Sequence, residues 1–181
     1  MPLSRLSFLV PAAALLTLGA RPHGPSPMSL PCAEELPAEI RVPEGNELAF
    51  GLAADGVQVY ACAASGASYG WSFQAPEATL SEVTGGPAGT HGAGPTWRSD
   101  DGSSVGGEKV AAATPDKSAI PWLLLRASSH EGSGRMADVT FVARIRTSGG
   151  NAPSQGCDAK HVGAVARVPY KAVYCFYRKA G

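Results

Sequence analysis

From residue 39 onward, apolar and polar positions alternate in short runs separated by Gly, Pro, Asn and Asp. That period of two is the signature of strands half-buried in a sheet. Residues 48–52 form one such run and lead to Asp55-Gly56, a dipeptide that predicts a hairpin turn. Next, Val57, Val59 and Ala61 share one face, and Gln58, Tyr60 and Cys62 the other. Residues 69–74 put Trp71 and Phe73 on one side, and residues 110–113 stop at Thr114-Pro115. Residues 120–125 are continuously apolar, which predicts a strand buried on both faces. Residues 139–145 are rich in β-branched strand formers. The last run, residues 164–177, is the longest. Its even positions Ala166, Val168, Tyr170, Ala172, Tyr174 and Phe176 form an apolar face, and Pro169 marks an edge position or a bulge. No window carries a long helical stripe. Eight to ten strands at this spacing predict an all-β, single-domain antiparallel β-sandwich, with a β-barrel as the alternative.

The first residues follow a different pattern. Arg5 precedes an apolar stretch over residues 6–18, and the small residues Gly19 and Ala20 follow. This is the layout of a secretory signal peptide, and the stretch is short for a membrane span. The expected organisation is a signal peptide at 1–20, a flexible Pro-rich tail at 21–37 and an all-β domain at 38–181. The expected location is secreted or periplasmic, with no membrane span once the leader is removed. Removing the leader takes away one base and no acid, so a chain of zero formal charge keeps one acid in excess. Basic residues form no stripe, which argues against nucleic acid as a partner.

Four cysteines remain after the leader: Cys32, Cys62, Cys157 and Cys175. An even number in an exported chain predicts disulfides, and three pairings are open. No C-x-x-C exists to suggest a zinc ribbon or a redox motif. Other motifs lack their context. Gly66-Ala67-Ser68-Tyr69-Gly70 matches G-x-S-x-G but leads into a strand, whereas a nucleophile elbow leads into a helix. The segment reads as a hairpin loop. Residues 132–137 fit a loose G-x-G-x-x-A, yet a β-run follows, so no helix N-terminus faces a phosphate. That segment reads as a connecting turn. Residues 99–103 lack the spaced carboxylates of a calcium loop and read as an Asp-Gly turn. His91, Asp158 and His161 do not complete a metal-ligand pattern. No cofactor or metal is expected.

Several blocks together resemble a known family. They are residues 71–80 (Trp-Ser-Phe-Gln-Ala-Pro-Glu-Ala-Thr-Leu), Gly89-Thr90-His91, Ala93-Gly94-Pro95-Thr96-Trp97 and Asp101-Gly102-Ser103. Further along stand Ala119-Ile120-Pro121-Trp122-Leu123-Leu124-Leu125, Gly156-Cys157-Asp158 and Val168-Pro169-Tyr170. In this order, over residues 36–178, they are similar to a family of secreted bacterial and fungal proteins catalogued as a domain of unknown function. The resemblance implies no established activity. Some fungal members carry a malate dehydrogenase label, which the absent dinucleotide motif does not support here. The resemblance pairs Cys62 with Cys157, and Cys32 with Cys175 then reads as an added bridge. The residue after the family's histidine is usually aromatic, and here it is Gly92.

Gly89, Gly92 and Gly94 surround His91, with Pro95 and Trp97 just beyond. Such a segment predicts loops that present His91 and Trp97 rigidly in a shallow ligand site, with Glu77 and Asp101 as candidate carboxylates. Two functions are compatible with these residues. The favoured one is a non-catalytic binding or structural module, whose partner would be an unknown small molecule or glycan. The alternative is an extracytoplasmic hydrolase or lyase using His91 with Glu77 or Asp101. The module is favoured because no nucleophile–base or metal signature is complete.

Overall fold

The computed structural model describes residues 31–181. The expected signal peptide and residues 21–30 of the expected tail lie outside the described residues. Eight strands follow one another: β1 (Asn46–Ser65), β2 (Ser68–Glu82), β3 (Pro87–Gly92), β4 (Thr96–Ser99), β5 (Ser104–Ala113), β6 (Trp122–Glu131), β7 (Val139–Gly149) and β8 (Val165–Lys179). Each pairs antiparallel with its sequence neighbour, and β8 closes back onto β1. The all-β antiparallel expectation therefore holds, and the architecture is the barrel rather than the preferred sandwich. The long first and last strands decide this. Their register runs from Asn46↔Lys179 to Ala61↔Val165, which removes the free edges a sandwich would keep. Register shifts at Leu48/Phe50, Val59/Tyr60, Gly106/Gly107 and Ile145/Ser148 supply the bends that closure needs.

Asp55-Gly56 is not a turn. It lies in the middle of β1, and both of its neighbouring strands pair straight through it. A Cβ on Gly56 would overlap the carbonyl oxygen of Glu77 on β2. Glycine is needed there because two backbones approach closely, not to reverse the chain. The true β1–β2 turn is Gly66-Ala67, with Gly66 at φ +61°. Ser68 thus sits at the start of a strand, outside any strand–helix elbow. Residues 132–138 connect β6 to β7, as read from the sequence. Pro169 is locally at an edge, because β7 stops opposite Tyr170 and β8 continues beyond it paired only with β1.

Alternation along β6, β7 and β8 serves two cores. Leu125, Val142, Tyr170, Ala172, Tyr174 and Phe176 point into the barrel with Leu52, Leu80, Trp97, Val105 and Met136. Leu124, Ala143, Ile145, Cys175 and Tyr177 point outward, where Cys32, Leu36, Ile40 and Val42 cover them. The continuous apolar run at 120–125 is thus buried on both faces, as its composition predicts. Two short 3-10 turns, Pro31–Ala33 and Ala38–Ile40, shape this N-terminal strap. The Cys32–Cys175 disulfide fastens it, and a second disulfide joins Cys62 to Cys157.

Because consecutive strands alternate in direction, the turns fall at two ends. The β1–β2, β3–β4, β5–β6 and β7–β8 connections share one end, and the β2–β3, β4–β5 and β6–β7 connections share the other. The second end is latched. Asp101 accepts hydrogen bonds from the backbone N–H of Ser103 (2.9 Å) and Arg135 (2.8 Å) and from the Ser103 hydroxyl (2.6 Å). Arg135 lies 4.1 Å from the centroid of the Phe50 ring and pairs with Glu82.

Candidate functional site

The other end holds a cavity, and its geometry starts from the short β3–β4 hairpin. His91 and Trp97 are directly opposed in the register, so both side chains point to the same face, which is the barrel interior. Their rings stack with centroids 4.7 Å apart and planes 10° from parallel. Tyr174 of β8 closes the cluster, 4.8 Å from His91 and 5.3 Å from Trp97 by ring centroids. Two glycines make the arrangement possible. Gly89 (φ +142°) lies so close to the Arg98 carbonyl that a Cβ there would overlap it. A Cβ on Gly107 of β5 would stand 2.9 Å from the Trp97 ring, so its absence makes room for the indole. The indole N–H is buried without an acceptor among the described residues, so packing holds the ring.

His91 is only 4% exposed. Its Nδ1 lies 3.0 Å from the carbonyl oxygen of Thr96, which can only accept, so Nδ1 carries the proton. Burial pushes the ring's pKa down to about 4; the Thr96 hydrogen bond opposes this and the charge of Arg144 adds to it. At neutral pH the imidazole is uncharged, with Nε2 as its lone-pair side.

The cavity measures about 350 Å³. Its walls are Phe73 and Pro76 of β2, Trp97, Leu123 and Leu125 of β6, and Tyr174; its polar groups are His91, Gln74, Lys109 and Arg144. Arg144 comes from β7, where Val142 and Arg144 face inward and Ala143 and Ile145 outward. Its Nε and Nη2 donate to the carbonyl of Pro121 at 3.1 and 2.8 Å, which fixes the guanidinium. Its charge reaches His91, Tyr60, Tyr170 and Tyr174. Burial, the leading cause, pushes all three tyrosine hydroxyls above the ordinary phenol range, so these neighbours are neutral. No carboxylate pairs with Arg144 among the described residues, and none lines the cavity.

Of the four residues singled out from sequence, His91 and Trp97 meet here, on strands within the barrel rather than on surface loops. Glu77 and Asp101 lie elsewhere. Glu77 points outward and pairs with Arg167 across β1; that hydrogen-bonded pairing holds its carboxyl below the usual range. Asp101 belongs to the latch at the opposite end. Its bonds, the Ser103 hydroxyl's first among them, hold its carboxyl well below the ordinary value. Asp158 and His161 bond to each other on an exposed loop at 2.8 Å, far along the chain from the buried His91. No group of three or more His, Cys, Asp and Glu side chains suited to a metal occurs among the described residues.

Sequence reading passed over Arg144 and Tyr174. A signal existed for the first: an arginine inside the otherwise apolar stretch Val142-Ala143-Arg144-Ile145. Tyr174 looked like one more member of an apolar face.

No curated protein matches the chain, and no solved structure does. A family model described as "Protein of unknown function (DUF3455)" matches residues 83–178. The matched span contains His91, Trp97, Lys109, Leu123, Leu125, Arg144 and Tyr174, and leaves out the β2 wall.

Proposed function

The chain belongs to the DUF3455 family of proteins of unknown function, and from that premise we propose that it binds a small, largely apolar molecule in the open end of its barrel without turning it over. The observation that carries this reading is the cavity itself, aromatic and aliphatic on most sides with a few fixed polar groups. Small-molecule sites have this character and this range of size, and an eight-stranded barrel has an interior just wide enough for one small ligand.

The chemistry of the polar groups favours binding over catalysis. A general base works best with a pKa near the operating pH, and His91 titrates near 4. Its Nδ1 proton is held by a backbone carbonyl, not by a carboxylate that would orient and strengthen it. Glu77 and Asp101, the proposed acid–base partners, are engaged outside the cavity. The leader-like N-terminus and two disulfides support a protein that does its work outside the cytoplasm.

Calorimetric titration with a panel of small aromatic and aliphatic compounds tests the reading. Saturable one-to-one binding is expected for some of them, with Kd below about 1 mM and a negative heat-capacity change. A Leu123→Trp variant, which fills the cavity, should abolish it. Absence of saturable binding across the panel, or binding that survives Leu123→Trp in a folded protein, would overturn the proposal.

A further inference from the structure

The cavity is apolar in its walls yet electrically one-sided. The charge of Arg144 reaches His91, Tyr60, Tyr170 and Tyr174, all neutral, and no acid among the described residues lines the cavity. Arg144 is half-buried, and a partly desolvated guanidinium without a counter-ion is stabilised when an anion pairs with it. Two of its five N–H donors are bound to Pro121 and the Tyr174 hydroxyl lies within reach of another, which leaves two for a ligand. Lys109, the second cation of the lining, also has no carboxylate partner among the described residues.

We infer that the ligand is a small planar aromatic carboxylate, its carboxylate paired with Arg144 and its ring packed between the aromatic cluster and the leucines of β6. The inference rests on the binding reading above and adds the ligand's class. A planar carboxylate matches the fork of a guanidinium in two parallel hydrogen bonds. Trp97, Tyr174 and Phe73 offer aromatic faces and edges to a flat ring. The size agrees: at about 30 Å³ for each water-sized volume, the cavity holds roughly a dozen non-hydrogen atoms. A phosphate ester fits less well, because its two charges and several oxygens need a cradle of cationic donors and the lining's only cations are Arg144 and Lys109. A cationic ligand would meet two like charges.

Three isosteric probes separate charge from shape: 2-naphthoate, neutral 2-naphthylmethanol and cationic 2-naphthylmethylamine. With the wild-type protein, naphthoate should bind at least ~10-fold more tightly than the alcohol, and the ammonium compound most weakly. Arg144→Gln should remove the carboxylate's advantage over the alcohol. Arg144→Lys should restore part of it, as a point charge without the fork. The wild-type comparison decides even if a variant fails to fold. Equal affinity for naphthoate and alcohol would overturn this inference and leave the binding reading intact. Failure of all three probes and of the wider panel would overturn both.

Discussion

Burial makes His91 a base too weak to be charged near neutrality, and this has a consequence for stability. In the unfolded chain the ring protonates near the ordinary value of 6.5; in the folded barrel it does so near 4. As pH falls through that window, the unfolded state takes up a proton that the native state refuses. The His91 contribution is therefore complete above pH 6.5, shrinks between 6.5 and 4, and changes no further below 4. The loss is about 3 kcal/mol across the window. Urea denaturation at pH 7, 5.5 and 4.5 should show it, and His91→Phe, which keeps a ring against Trp97, should flatten the slope. An unchanged slope in a folded His91→Phe protein would mean that another group is responsible. Asp101 acts in the opposite sense and lower down. Its carboxyl is depressed, so its contribution is present above the ordinary carboxylate pKa and fades as pH falls below it.

At the level of strands, glycine chemistry has two uses that look alike in one dimension. Asp55-Gly56 carries the composition of a hairpin turn, but Gly56 admits the backbone of β2 and lets β1 coil without interruption. Gly56→Ala should therefore cost about 2 kcal/mol or more through overpacking. Gly70→Ala, on β2 with open space around it and an ordinary φ, should be neutral or slightly stabilising. Thermal melts of the two variants provide the comparison, and a neutral Gly56→Ala would refute the close-approach account. The positions and facing of β6, β7 and β8 were legible because period two or dense β-branching survives there, whereas the glycines and Pro95 of β3 and β4 read as loops. The role of Gly56 was not, because it depends on a contact with residues 77–78, which the local pattern does not contain.

For the molecule as a whole, closure and cross-linking act together. Cys62–Cys157 spans 95 residues and Cys32–Cys175 spans 143, and each joins an early segment to a late one. Removing the first as Cys62→Ala with Cys157→Ala should lower stability by about 4.7 kcal/mol in the chain-entropy model. Guanidinium denaturation measures this, and a loss under about 1 kcal/mol would contradict it. Outside the barrel, the pairs Asp55–Lys171, Glu77–Arg167, Glu108–Arg126 and Glu47–Arg178 stud the surface. A barrel that crosses a bilayer carries an apolar band there instead. The sequence by itself determined the β class and the facing of β6 and β8, and singled out His91 and Trp97 as neighbours in one Gly-rich segment, because those depend on local periodicity and composition. Only the tertiary structure decided that the sheet closes, that Glu77 and Asp101 stand apart from His91, and that Arg144 faces the cavity with no acid beside it among the described residues. Those outcomes depend on long-range register between β1 and β8, and on which charged groups share an enclosed space, information that no single stretch of chain holds.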